Sequence, residues 1–371
     1  MLQHWLKCLL RILIRIHYFL FGGSAKPLPK LTDLSSALLS ISGGIGDALM
    51  AQPMVRALRQ MNPHLKIDVL VSPATQILYE KDTDINRVWA VNNKLSLWVQ
   101  LILKLRHEHY DVYIGKIPSN TIRKTLLPYL AGIPVRVKHR TWERKCTDYD
   151  FLYQHIESIN MERHRILCNL DLLKPFGVDP SDELNGPHLE IDQETSQSAL
   201  LILSQLDFDT NKLTIGFHPG CNPSRAHKRW SAENYAALGN YLQQTYGAQI
   251  VIVGGKDEIE DIKKVASCMV TPPVIVAGRC TLLETAAIIK LCSLFISNDS
   301  GIMHLAAALD IPTFAIFGPT DDRHIGPFGK KHTVIRNTND INTVTMPMVL
   351  DKIIGSTWGI SSFLKRQNAK P

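Results

Sequence analysis

Short apolar segments, rich in Val, Ile and Leu, alternate with helical stretches along most of this 371-residue chain. The alternation runs twice, and a segment rich in Pro, Asp and Gly, Gly177–Asp192, separates the two runs. Strands that are apolar on both faces are typical of parallel sheets covered by helices on each side. The sequence therefore predicts an α/β protein with two Rossmann-like domains, whose parallel sheets face a central cleft.

The first run predicts strands at Leu38–Ser42, Ile67–Val71, Val88–Val91, Tyr110–Gly115 and Val135–Val137, with helices at about 47–60, 95–108 and 120–131. The second predicts strands at Leu213–Phe217, Ile250–Val253, Val274–Val276, Leu294–Ser297 and Thr313–Phe317, with helices at about 231–246, 257–268 and 282–291. Ligands of open α/β sheets bind at the carboxyl ends of the strands. Site residues are therefore expected in the loop after the first strand of run one and after strands one, two and four of run two.

The predicted organisation has four parts. Residues 1–29 form a basic N-terminal segment and linker, and residues 30–190 form the N-terminal domain. Residues 191–350 form the C-terminal domain, and residues 351–371 form a tail. The seven cysteines form no C-x-x-C pair, which predicts reduced thiols in a cytosolic protein. There is no H-E-x-x-H motif and no Cys/His cluster with ligand spacing, so no metal site is predicted.

The net charge of +7 is concentrated in one stretch of the chain. Between residues 116 and 145, Glu143 is the only acid beside eight basic residues: Lys116, Arg123, Lys124, Arg136, Lys138, Arg140, Arg144 and Lys145. The stretch is either a solvated face or a patch for an anionic partner such as a phosphorylated glycolipid. No nucleic-acid-binding signature accompanies it, so a nucleic-acid partner is not expected.

The N-terminal segment, Met1–Phe21, is apolar but carries Lys7, Arg11 and Arg15 at four-residue spacing. These charges argue against a transmembrane helix and against the apolar core of a signal peptide. Two interpretations remain open. The segment is an amphipathic helix on an anionic membrane surface, or a helix packed on the protein itself.

The loop after the first predicted strand contains three glycines and an acid, Gly43, Gly44, Gly46 and Asp47. The loop resembles a dinucleotide-binding turn, but it lacks the last glycine of the G-x-G-x-x-G motif. In addition, Val71-Ser72-Pro73, at the end of the second strand, contains no acidic residue that could bind a ribose hydroxyl. The alternative is a glycine turn that admits a substrate, with Asp47 as general base. Asp47 could also serve only as a helix cap.

Three loops of the second run carry groups suited to a nucleotide diphosphate. In the first, residues 218–230, Ser224, Lys228 and Arg229 can contact phosphate, and Lys228 can balance charge on a leaving diphosphate. The second, Gly254–Glu258, offers an acid for ribose hydroxyls. The third is Asp299–His304, an acid, a hydroxyl and a glycine at a strand-to-helix turn. Free N–H groups at such a turn favour an anion.

These loops, in this order, resemble the ADP-heptose–lipopolysaccharide heptosyltransferases of glycosyltransferase family 9. The resemblance rests on Ile41–Leu58, Ile215–Trp230 and Ile296–Pro319. It implies a GT-B fold and inverting, metal-independent transfer, with the acceptor bound by the N-terminal domain and the nucleotide sugar by the C-terminal one. Pro223 lies where other members can carry a hydroxyl, and the basic N-terminal segment also departs from the family pattern.

The resemblance implies a role for individual residues. Asp47 is the expected catalytic base, and Lys228 the expected cation on the diphosphate. The other expected donor-site residues are Ser224, Glu258, Asp299, Ser300, Gly301 and His304. The expected acceptor-side residues are Gly44, Gly46, Lys116, Arg123, Arg136, Lys138 and Arg140.

The resemblance also implies partners and a location. The donor is expected to be ADP-heptose, a substrate rather than a cofactor. The acceptor is expected to be 3-deoxy-octulosonate on phosphorylated lipid A, or the heptose beyond it. A monomer is expected on the cytoplasmic side of the inner membrane of a Gram-negative bacterium. Three alternatives stay open: transfer from another nucleotide sugar, sugar-nucleotide epimerisation on the same scaffold, and non-catalytic binding of lipopolysaccharide.

Overall fold

The structure, a computed structural model, describes residues 11–19, 28–92, 94–116, 121–140, 147–179 and 186–360. The chain divides into two compact units, Met1–Leu184 and Asn185–Pro371. Each unit is built on a parallel sheet with helices between its strands, which confirms the predicted α/β fold class.

In the described part of the first unit, the sheet has six parallel strands in the order β3-β2-β1-β4-β5-β6. They are β1 (Ser36–Ile41), β2 (Lys66–Val71), β3 (Arg87–Ala90), β4 (Val112–Gly115), β5 (Val135–His139) and β6 (His155–Glu157). The helices are α1 (11–19), α2 (Ile45–Leu49), α3 (Gln52–Met61), α4 (Leu95–His107), α5 (Ile122–Leu130) and α6 (Arg165–Asp171). Because β1 lies between β2 and β4, the loops after β1 and β4 leave the same edge of the sheet beside each other.

The second unit repeats this arrangement over its described residues, with six parallel strands in the order β12-β11-β10-β7-β8-β9. They are β7 (Thr214–His218), β8 (Gln249–Ile252), β9 (Val274–Ile275), β10 (Leu294–Asn298), β11 (Thr313–Ile316) and β12 (His332–Ile335). The helices are α7 (Gln193–Ser204), α8 (Ala232–Tyr246), α9 (Ile259–Ser267), α10 (Leu282–Lys290), α11 (Gly301–Ala308), α12 (Asp322–Ile325) and α13 (Met346–Gly355). Here β7 lies between β8 and β10, so the loops after β7 and β10 meet at the carboxyl edge.

The structure differs from the sequence prediction at the helix expected over residues 47–60. It is two helices, since α2 ends at Leu49 and α3 begins at Gln52. Pro53 lacks the N–H that a continuing helix needs, and its ring would clash with the carbonyl of Leu49. In the first turn of a new helix neither problem arises, so the break places Pro53 there.

The N-terminal helix α1 packs on its own unit through the side that carries its charges. Arg11 forms an ion pair with Asp148 at 2.9 Å, and the Arg15 guanidinium lies 5.2 Å from the centre of the Phe151 ring. Ile14 is buried in the core of the unit. Arg11 and Arg15 therefore contact the protein itself, as the second of the two interpretations expects, because an acid and an aromatic ring on the unit attract them. Lys7 lies outside the described residues.

The outer face of α1 is apolar. Ile12, Leu13, Ile16 and Phe19 are each more than half exposed, and Phe19 reaches 88%. The helix α4 contributes to the same core as Ile14 and exposes a second apolar row, Leu95, Val99 and Leu103. No helix among the described residues has the length and apolarity needed to span a bilayer.

Candidate active site

In the first unit the candidate site begins with the turn after β1. Gly43 has φ +132°, in the region that favours glycine, and a Cβ there would lie 2.5 Å from Cβ of Asp47. Asp47 stands in the first turn of α2, where its Oδ2 accepts a hydrogen bond of 3.2 Å from the Gly44 N–H. The Asp47 side chain nevertheless stays 32% exposed. The carboxylate is therefore both a helix cap and open to a ligand.

A buried cation lies beside this carboxylate. Lys116 follows β4, its side chain is 1% exposed, and its Nζ lies 3.9 Å from Oδ1 of Asp47. The same ammonium donates to the Ser42 carbonyl at 3.3 Å. Burial lowers the pKa of Lys116 to about 8, and the Asp47 carboxylate opposes that shift.

Two further basic residues interact electrostatically with Asp47. They are Lys124 on α5 and Arg165 on α6, both partly buried. Burial lowers the pKa of each, and attraction to the Asp47 carboxylate partly offsets the effect. Arg165 was missed by sequence reasoning because it lies outside the basic stretch, in a helix with no motif of its own.

In the second unit the two residues predicted for the diphosphate and the sugar contact each other. Lys228 Nζ lies 2.6 Å from Oδ2 of Asp299, and both side chains are less than a tenth exposed. Asp299 follows β10, and Lys228 ends the short helix Pro223–Lys228 in the loop after β7. The Lys228 charge is therefore paired with that of Asp299.

Asn298, at the end of β10, fixes the loop that carries Lys228. Its amide nitrogen donates to the Pro219 carbonyl at 2.7 Å, and its Oδ1 accepts from the Trp230 N–H at 3.1 Å. The Trp230 indole in turn donates to the Val344 carbonyl at 2.6 Å. The loop is thus tied at both ends to the core of the unit. No motif in the sequence marks Asn298.

A buried histidine joins the other two predicted donor loops. His218 Nε2 lies 3.2 Å from Oε2 of Glu258, and its Nδ1 lies 3.0 Å from the Ser300 hydroxyl. Burial alone would raise the pKa of Glu258, but its hydrogen bonds to His218 and the Gly255 N–H lower it, so the carboxylate stays ionised near neutral pH. His218 is the last residue of β7, and no sequence motif marks this contact.

The turn after β10 opens α11. Ser300 is its N-cap, accepting from the Met303 N–H at 3.4 Å, and Gly301 is its first residue. His304 follows in the first turn and is 6% exposed. Ser224 lies in the loop after β7, is exposed, and donates to Oδ1 of Asn222 at 2.7 Å. Every predicted donor-side residue thus lies at or just after the carboxyl edge of this sheet.

The family model of glycosyltransferase family 9 (heptosyltransferase) matches residues 98–353. The chain belongs to this family. It is 28% identical to lipopolysaccharide heptosyltransferase 2 of Escherichia coli strain K12, over 79% of this chain and 85% of that protein. It is 34% identical to lipooligosaccharide heptosyltransferase 2 of Campylobacter jejuni strain 81116, over 76% and 82% of the two chains.

Solved structures of family members share the fold of this family 9 chain. The glycosyl transferase family 9 structure from Veillonella parvula superposes with a TM-score of 0.78 at 21% identity, covering 88% of this chain and 97% of that one. The structure of E. coli ADP-heptose lps heptosyltransferase II gives 0.75 at 23% identity, covering 90% and 100%. The chain is therefore a glycosyltransferase of GT-B architecture.

The basic surface predicted for this family 9 enzyme needs correction. Arg136 lies inside β5 and is 5% exposed, and its guanidinium donates to the Leu152 and Ile133 carbonyls. Lys138, two residues on, is 2% exposed and forms an ion pair with Asp150 at 2.5 Å. Because every residue of β5 is buried, these two charged groups bind partners inside the unit and are not part of a surface patch.

The remaining predicted acceptor-side residues differ in exposure. Arg123 and Arg140 are exposed, whereas Lys116 is buried against Asp47. Gly46 is buried in α2, and Gly44 is the N-cap of that helix. Arg144 and Lys145 of the basic stretch lie outside the described residues. Among the described residues no group of three or more His, Cys, Asp or Glu side chains could hold a metal ion.

Proposed function

We propose that this enzyme transfers a heptose from ADP-heptose to an acidic lipopolysaccharide-core acceptor, with inversion and without a metal ion. The observation that carries the proposal is the buried Lys228–Asp299 pair beside the start of α11. It combines a cation for a diphosphate with a carboxylate for sugar hydroxyls, at the carboxyl edge where such sheets bind ligands. The names of the relatives point to the same donor and acceptor classes.

On the donor side, the leaving group is ADP. As the bond from the anomeric carbon to the β-phosphate oxygen breaks, negative charge grows on that phosphate. Lys228 and the N–H groups at Ser300 and Gly301 are the described groups suited to stabilise it. A lysine and helix-terminus amides can perform this role without a divalent cation, which supports metal-independent transfer.

On the acceptor side, Asp47 is the proposed base. It takes the proton of an acceptor hydroxyl while that oxygen forms a bond to the anomeric carbon. A single displacement of this kind attacks from the face opposite ADP and inverts the anomeric configuration. The partly buried Lys124 and Arg165 share the field of Asp47 and suit an acceptor that carries carboxylate or phosphate groups.

The test is a transfer assay with purified full-length protein, ADP-heptose, and either 3-deoxy-octulosonate–lipid A or its heptosylated form, in the presence of EDTA. We expect ADP release together with an acceptor product heavier by one heptose. Product from the nucleotide sugar alone would favour epimerisation, and binding of the glycolipid without ADP release would favour a non-catalytic member. Loss of transfer in EDTA, restored by a divalent cation, would contradict metal independence. Parallel calorimetry with ADP, UDP and GDP tests the nucleotide.

We further propose that the enzyme acts as a monomer at the cytoplasmic surface of the inner membrane, with the outer face of α1 in the bilayer interface. Ile12, Leu13, Ile16 and Phe19 form an apolar face on a helix whose other side is packed. The net charge of +7 favours an anionic surface. The glycolipid acceptor would be presented at such a surface.

The membrane proposal predicts the outcome of vesicle flotation. The wild-type chain should float with phosphatidylglycerol vesicles. The double variant Ile16→Asp/Phe19→Asp should bind the vesicles at least about tenfold more weakly, because it loses two interfacial apolar side chains. Leu201→Asp/Val270→Asp is the matched control in the second unit, where both side chains are also more than half exposed. Equal flotation of the two double variants would remove α1 from membrane binding.

A further inference from the structure

A line of hydrogen bonds crosses the carboxyl edge of the second sheet through one buried side chain, His218. Its Nε2 lies 3.2 Å from Oε2 of Glu258, and its Nδ1 lies 3.0 Å from the Ser300 hydroxyl. The ionised Glu258 carboxylate can only accept, so Nε2 carries the hydrogen that joins the two side chains. Ser300 accepts from the Met303 N–H, which leaves its own hydrogen for Nδ1. The imidazole is therefore held at both of its nitrogens.

His218 is held by its backbone as well. It is the last residue of β7, where it lies opposite Ser297 of β10. The Tyr235 hydroxyl donates to its carbonyl oxygen at 3.2 Å. Ser297 Oγ also lies 3.4 Å from Nδ1, but this hydroxyl donates to the Asn298 carbonyl at 2.9 Å. A side chain on such a strand can hold a neighbouring group more precisely than a side chain on a loop can.

The two carboxylate oxygens of Glu258 differ in what they contact. Oε2 accepts from His218 and, at 2.7 Å, from the Gly255 N–H. Oε1 has no hydrogen-bond partner among the described residues and keeps some contact with solvent. It lies against Gly220 in the loop after β7, where the absence of a side chain leaves it room. Oε1 is therefore the oxygen that is available to a ligand.

We propose that His218 is a positioning residue that directs Oε1 of Glu258 toward the ribose of the nucleotide sugar, and so lets the enzyme distinguish a ribonucleotide from its deoxy analogues. The inference rests on the proposed function, with Glu258 on the ribose hydroxyls. Two donors on Oε2 fix the direction of the carboxylate, whereas the Gly255 N–H alone would let it rotate. A site that hydrogen-bonds a hydroxyl group rejects an analogue without it when its own polar group is held in place. In this role His218 need not touch the nucleotide.

The test is calorimetry of the full chain with ADP, 2′-deoxy-ADP and 3′-deoxy-ADP. The wild type should bind at least one analogue about tenfold more weakly than ADP, the cost of one lost hydrogen bond to a charged group. His218→Asn places an amide where Nδ1 lies, within reach of Ser300 but not of Glu258, so this preference should fall below about threefold. Glu258→Ala should lose it to the same extent. His218→Gln places the amide where Nε2 lies and should keep the preference.

Gln249→Leu is the matched control, because it removes a buried, hydrogen-bonded amide from the start of β8, at the opposite edge of the same sheet. It should lower the melting temperature and leave the preference for ADP unchanged. An unaltered preference in His218→Asn would overturn the inference, and so would a loss shared by His218→Gln or Gln249→Leu. Because binding alone is measured, a wild-type protein that shows the preference but transfers no heptose would sink the proposed function and leave the role of His218 standing.

Discussion

Asp47→Asn is expected to lower kcat for transfer by about 10²–10⁴, the range typical of a lost general base. This corresponds to roughly 3–5 kcal/mol of activation free energy. The asparagine side-chain oxygen can still accept the Gly44 hydrogen bond that caps α2, so the turn after β1 should keep its shape. What the amide cannot do is take a proton from the acceptor. This one substitution therefore distinguishes the role of Asp47 as a helix cap from its role as a base.

The donor-side residues lie in the second unit, so the affinity of Asp47→Asn for ADP should equal that of the wild type in calorimetry. Asp33→Asn is the matched control, because it removes an exposed carboxylate before β1, at the opposite end of that strand. Transfer by Asp47→Asn at more than a tenth of the wild-type rate would exclude Asp47 as the base. A parallel loss of ADP binding would show that the variant disturbs more than proton transfer.

Lys228→Met is expected to have two separable effects. Loss of the cation should weaken ADP binding at least about tenfold and lower kcat by about 10²–10³, the cost of removing one stabilising donor. The variant also leaves Asp299 buried without its partner, which typically destabilises a fold by 3–5 kcal/mol. A simple loss of activity would not distinguish these two causes.

The double variant Lys228→Met/Asp299→Asn separates them. Neutralising Asp299 removes the unpaired buried charge, so the melting temperature should return toward the wild-type value while ADP affinity stays low. Lys290→Met, which removes an exposed charge at the end of α10, controls for net charge. Wild-type ADP affinity in a folded Lys228→Met protein would rule out its role on the diphosphate.

Most of the fold could be predicted from the sequence because buried parallel strands are marked by short, continuous apolar segments. β1, β2, β7 and β10 are short apolar runs, and each was predicted to within about two residues. The edge strands β6 and β12 were missed, since they are short and mostly half-buried, without the apolar run that marks a central strand. Local composition cannot reveal a strand that is defined mainly by its neighbour.

The loops of the sequence indicated where the candidate site lies, but they did not indicate which of its residues contact each other. The predicted Lys228 and Asp299 are separated by 70 intervening positions, and only the order of β7 and β10 makes them partners. The prediction of a basic surface patch was wrong at Arg136 for a related reason. A count of charges does not show which arginines are exposed, and the Arg136 guanidinium donates to carbonyl oxygens inside the unit. His218 was overlooked because its partners come from two other loops.

Gly220 illustrates how this site constrains substitution over evolutionary time. Its backbone has no unusual angle, yet a Cβ there would lie 2.3 Å from Oε1 of Glu258. The Glu258 side chain thus restricts the residue at position 220, 38 positions away. A relative that shortens Glu258 gains freedom at 220, whereas one that keeps the glutamate must keep the glycine. Position 220 should therefore depart from glycine only in family members that have also changed position 258.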